Sequence, residues 1–148
     1  MTKQEILKDR TKQFAIRIVK LFKALPQTDE ARIIGKQLLR SGTSVGANYR
    51  AVCRARSTAE FIAKIGIVVE EADETVFWLE LMMETEIFTS SKLTLLLDEA
   101  NELVTKAADE CMEVGRLRDA IIDFEELGSA LSDIESPTSQ ITILKKAV

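Results

Sequence analysis

A chain of 148 residues with 20 basic and 24 acidic side chains, two cysteines and no histidine is long enough for one domain around a single core. Without histidine the commonest metal ligand and general base is missing, and Cys53 and Cys111 form no paired spacing, so no metal, no other cofactor and no enzymatic activity are expected. Six glycines and two prolines leave room for few turns, which favours a few long helices over many strands.

The first helix is predicted over 3–24, with Leu7, Phe14, Ile18, Leu21 and Leu25 on its inner stripe. Pro26 stops it by removing a backbone donor and biasing the preceding residue away from helix. Thr28 or Asp29 can cap a second helix over 30–55, whose apolar or small positions Ile34, Leu38, Ser41, Val45, Asn48 and Val52 step by three and four. Gly42 and Gly46 lie inside it, and each costs about 1 kcal/mol relative to alanine. Close approach of two backbones would account for them. With a hairpin turn near Ser57, antiparallel pairing sets Gly46 level with Gly66 on the third helix and Arg40 near Asp73 and Glu74.

Ser57-Thr58-Ala59-Glu60 has the spacing of a helix N-terminal capping box and opens a third helix over 58–86. Phe61, Ile65, Val68, Ala72, Val76, Leu79 and Met83 form its inner stripe. Phe77, Trp78, Leu81 and Met82 make the apolar face wider than one bundle interior needs, and they are the candidate oligomer interface. Ser90 or Ser91 caps a fourth helix over 91–114, with Leu93, Leu96, Leu97, Ala100, Leu103, Val104, Ala107 and Cys111 inward. Gly115 is the expected stop.

Beyond it Leu117, Ile121, Phe124, Leu127, Leu131 and Ile134 recur at helical steps, so a short fifth helix is expected to fold back on a hydrophobic groove. Its carboxylates are Asp119, Asp123, Glu125, Glu126, Asp133 and Glu135. Ser136-Pro137-Thr138-Ser139 breaks the pattern, and 141–148 read as a loosely held tail. The predicted fold is therefore all-α: an antiparallel up-down-up-down four-helix bundle over 1–114, followed by an acidic helical extension and tail over 115–148. Neither a membrane span nor a leader is indicated, and a cytoplasmic protein with reduced, buried thiols is expected.

Leu25-Pro26, the run from Gln37 through Arg40, Gly42, Gly46 and Asn48 to Tyr49, Arg54-Ala-Arg-Ser57, Glu60-Phe61-Ile62 and the run from Glu70 through Asp73 and Glu74 to Glu80 make a long ordered string. In this the chain resembles the four-helix-bundle family of intervening-sequence proteins, encoded inside insertions of bacterial large-subunit ribosomal RNA genes. A related branch is the accessory variability determinant of diversity-generating retroelements. The resemblance implies a small up-down bundle, a homopentamer, no known catalysis and a link to nucleic acid. The acidic extension departs from the family pattern, which closes on a short, often basic end.

Charge is divided along the chain: residues 1–65 carry a balance of +9 and residues 66–148 one of -13. In an antiparallel bundle the basic first and second helices would lie beside acidic partners. Arg50, Arg54 and Arg56 cluster at the end of the second helix, with Tyr49 beside them. Guanidinium groups can grip phosphates and a ring can stack on a base, so these four are the candidate nucleic-acid-binding residues; the alternative is that the arginines pair with Glu60, Glu71 and carboxylates at subunit interfaces. The sequence supports a homo-oligomeric scaffold or binding module for RNA or a ribonucleoprotein. A protein-interaction adaptor that presents helical grooves and touches no nucleic acid is the alternative.

Overall fold

The computed structural model describes residues 1–89 and 91–132. They form four helices: α1 (Lys3–Ala24), α2 (Asp29–Val52), α3 (Thr58–Glu84) and α4 (Ser91–Ser132), with no strand among the described residues. Two compact units divide the chain, Met1–Met112 and Glu113–Val148.

Each of the first three helices starts where a side chain satisfies an orphan backbone donor. Thr2 and Glu5 form a reciprocal capping box at α1, a signal as plain as the one at Ser57, and Thr28 caps α2 by accepting from Ala31 N–H. At α3, Ser57 Oγ accepts from Glu60 N–H at 3.1 Å, while the Glu60 carboxylate takes the Arg56 N–H at 2.8 Å. α3 ends in a left-handed turn: Glu86 has φ 57°, and Glu86 and Ile87 N–H return to the carbonyls of Met83 and Met82. This double closure is usually made by glycine; here a glutamate takes the position.

The four helices lie antiparallel in chain order, and in the first unit their inner stripes meet in one core. Phe14, Ile18, Leu38, Tyr49, Ile65, Leu79, Met82, Leu93 and Leu103 are fully buried in it. Burying a side chain of this size contributes about 1.5–3 kcal/mol, so the stripe positions dominate the stability of the unit. On α2 the buried face is Ala31, Gly35, Leu38, Gly42, Val45, Tyr49 and Val52, with Ser41 and Gly46 beside it. It is turned slightly from the predicted stripe, for Ile34 and Asn48 are only half-buried.

The close helix crossing lies elsewhere than expected. A Cβ on Gly46 would stand 3.0 Å from the backbone oxygen of Thr11, on α1, whereas a Cβ on Gly66 would meet nothing within 4 Å. Gly42 faces Ile18 and Gly35 faces Leu25 and Phe22, so all three α2 glycines turn toward α1 and its C-terminal cap. The α2–α3 seam carries polar contacts in its register. Thr75 Oγ1 donates to Ser41 Oγ at 3.0 Å, and Ser41 donates to the Leu38 carbonyl, a buried relay that fixes the register of the two helices.

Gly115 does not end α4, which continues as one helix to Ser132 in place of a separate fifth helix. No glycine among the described residues has positive φ, so Gly115 is simply helical, and the surrounding helix formers outweigh its cost of about 1 kcal/mol. The predicted cap Ser90 and the predicted break and tail beyond Ser132 lie outside the described residues.

Candidate nucleic-acid interface

At the C-terminal end of α2 the arginine cluster has the exposure that ligand contact requires. Arg50 and Arg54 are exposed and have no carboxylate at ion-pair distance among the described residues. Arg56, its side chain 90% exposed, lies 3.7 Å from Glu60, whose carboxylate is already held by Lys64 at 2.7 Å. Those contacts, Lys64 first and then the Arg56 N–H, lower the Glu60 pKa. Lys8 of α1 is near enough to Cys53 to offset part of the upward push that burial gives its thiol, which adds a cation at this end.

Tyr49 does not belong to that surface. Its side chain is completely buried, and its hydroxyl donates to the Glu110 carboxylate at 3.0 Å, so the ring cannot stack on a base. Burial, with Glu110 next, raises the phenol pKa and keeps it neutral. Helical phase explains the placement, because Tyr49 follows Leu38, Gly42 and Val45 on the inward face while Arg50 points one step further round. Glu110 was missed in the sequence. The available signal was a charge at the next place in the three-and-four rhythm of Leu93, Leu96, Ala100, Leu103 and Ala107.

Arg40 bridges to α3 as expected but with a changed partner: it pairs with Glu74 and, at 3.2 Å, with Glu71, while Asp73 is exposed. The pairing with Glu74 raises the Arg40 pKa and lowers that of Glu74, which also accepts from Trp78 Nε1 at 3.1 Å. A second bridge had no sequence forecast. Arg10 of α1 holds Glu99 at 2.8 Å and Glu102 at 2.7 Å on α4. Asn48 turns back on its own helix, donating to the Ser44 carbonyl at 2.8 Å.

Of the candidate interface residues on α3, Phe77 is 52% exposed, Trp78 and Leu81 are half-buried, and Met82 is fully buried. Met82 therefore belongs to the core: it falls three residues after Leu79 on the inner stripe. Phe77 and Trp78 pack edge to face with centroids 4.9 Å apart. On the first unit a cavity of about 490 Å³ is lined by Arg17, Lys20 and Lys92 together with Leu21, Leu95 and Leu96. Cys53 and Cys111 are both free and half-buried. No described helix is long and apolar enough to cross a membrane.

An antiparallel bundle with polar bridges between neighbouring helices and, at one end, arginines that no carboxylate among the described residues neutralises is the class that this geometry defines. The chain belongs to the family of 23S rRNA-intervening sequence proteins, whose model matches residues 3–109. It is similar to the crystal structure of a protein of unknown function from the S23 ribosomal protein family of Bacteroides thetaiotaomicron. The two are 38% identical with a TM-score of 0.70, over 75% of this chain and 99% of that one. None of the curated proteins matches it.

Proposed function

We propose that this chain is a non-catalytic, homo-oligomeric bundle that serves as a scaffold or binding module for RNA or a ribonucleoprotein. The observation that carries this reading is the exposed arginine cluster, in which Arg50 and Arg54 have no neutralising carboxylate among the described residues. Guanidinium groups left in this state suit phosphate, and repetition around an oligomer would multiply the contacts. The family's tie to ribosomal RNA genes agrees with it. The resemblance supplies five as the number of subunits.

Fluorescence anisotropy with a structured RNA, measured between 50 and 200 mM salt as general working conditions, tests the proposal. Binding should weaken steeply with salt, and replacing Arg50, Arg54 and Arg56 by glutamate should abolish it while leaving helicity unchanged. An absence of RNA binding at the low-salt end, or binding indifferent to the triple substitution, would overturn it. The exposed Phe77 edge beside Trp78 favours the second reading, a protein-interaction adaptor, which would then take precedence.

A further inference from the structure

The second unit carries an apolar seam that nothing so far explains. Leu117, Ile121, Phe124 and Leu131 are 59%, 58%, 76% and 52% exposed. Along α4 the buried positions Leu93, Leu96, Ala100, Leu103 and Ala107 alternate steps of three and four, a seven-residue repeat with apolar residues at its first and fourth places. Carried forward without a slip, the same frame selects Glu110, Val114, Leu117, Ile121, Phe124, Gly128 and Leu131. A frame kept this regular beyond the core is the signature of a helix that packs along a partner helix.

We infer that residues 113–132 pair, in parallel and in register, with the same segment of a second copy of this chain. Three features select that occupant. The first places (a) hold the β-branched Val114 and Ile121 and the fourth places (d) hold Leu117 and Leu131, the combination that favours two parallel strands, with Phe124 at d and Gly128 at a as the departures from it. Glu113 falls at g and Arg118 five residues later at e, the two positions that meet across a parallel pair; within one chain Arg118 lies 3.1 Å from the exposed carboxylate of its neighbour Asp119, and in the pair it would turn to the other copy's Glu113. Asp119, Asp123 and Glu126 fall at the outer places c and f, away from the seam. Ile122, at b, lies outside it.

The pairing does not rest on the RNA reading. The family match ends at residue 109, and the B. thetaiotaomicron relative is covered almost whole by three quarters of this chain, so the bundle folds in a protein that lacks the extension.

The test uses the full chain with Cys53 and Cys111 replaced by serine, and one new cysteine per variant. Under mild oxidation Gly128→Cys, at a, should give mostly covalent dimer, and Asp119→Cys, at f, only a trace. An antiparallel pair or a segment held within its own chain would give no dimer from Gly128→Cys. Sedimentation equilibrium supplies a second measure. Ile121→Asp should weaken the association of the full chain by about tenfold or more, because a carboxylate would have to be desolvated in the seam. Arg118→Glu should weaken it too, and Glu113→Arg added to Arg118→Glu should restore it. Equal cross-linking at 119 and 128, no cross-linking at 128, or a full chain that associates no further than residues 1–112 alone would each overturn the inference.

Discussion

Gly46 and Gly66 both sit inside helices, yet alanine should act on them with opposite sign. At Gly66 the new methyl meets nothing within 4 Å, so only the helix propensity changes and the fold should gain about 0.5–1 kcal/mol. At Gly46 the methyl would stand 3.0 Å from the Thr11 oxygen and 3.3 Å from its carbonyl carbon. These are backbone atoms of a packed helix, which cannot swing aside as a side chain can. Overpacking of this kind costs about 1–3 kcal/mol, and the same propensity gain of about 1 kcal/mol offsets part of it. Gly46→Ala should therefore lose about 1 kcal/mol, leaving the two variants about 2 kcal/mol apart, or about 4–8 °C in Tm for a chain of this size. Urea unfolding followed through the single tryptophan, Trp78, at fixed protein concentration measures both. If Gly46→Ala proves as stable as Gly66→Ala, the α1–α2 close approach is wrong.

Tyr49→Phe removes the bond to Glu110 and should cost about 1 kcal/mol, measured in the same unfolding experiment. Because the folded phenol has a raised pKa, its share of stability is complete below the unfolded value near 10.0 and declines above it, where the unfolded chain ionises first. Tyr49 is the only tyrosine, so an alkaline absorbance titration should show no tyrosinate before unfolding. Arg40→Met should cost about 0.3–1 kcal/mol, since the pair is partly exposed. The folded Glu74 pKa is lowered, so that contribution is present above the ordinary value of 4.5 and disappears as pH falls through the lower one; parent and variant should converge in acid.

Most of the architecture was legible because it depends on local chemistry. Thr28, Pro26 and Ser57 fix helix ends through single hydrogen bonds or a missing donor, and the stripe of α1 and that of α3 from Ile65 to Leu79 follow from periodicity, whereas Phe61 and Met83 are only half-buried. Which helix receives a glycine face is a different kind of fact. Gly46 could serve either neighbour of α2, and the expected α3 contact assumed that two glycines at one level must meet. The structure resolves the choice through the phase of α2, which turns Gly35, Gly42 and Gly46 to α1 and leaves Ser41 and Arg40 for Thr75, Glu71 and Glu74. Tyr49 was misplaced for a related reason: adjacency in sequence put it with Arg50, although residues one apart on a helix point about 100° apart. Met82 shows the converse, an inner-stripe residue mistaken for surplus surface.

The low isoelectric point, taken alone, argues against phosphate binding. Net charge is -4, but it combines a basic first part with an acidic remainder. Part of the opposition is settled inside the first unit: Arg10 is held by Glu99 and Glu102, Arg40 by Glu71 and Glu74, and Lys64 by Glu60. Cations bound in this way have little left to offer a polyanion. What governs phosphate affinity is the remainder after pairing, and counterion release scales with the number of phosphates actually neutralised rather than with net charge. Among the described residues Arg50 and Arg54 belong to that remainder, with Arg56 only loosely engaged. If the arginine cluster alone meets phosphate, as proposed, a salt slope of two or three contacts per subunit is expected from a protein whose pI is about 5.0. A slope near zero would mean that the leftover arginines serve something other than phosphate.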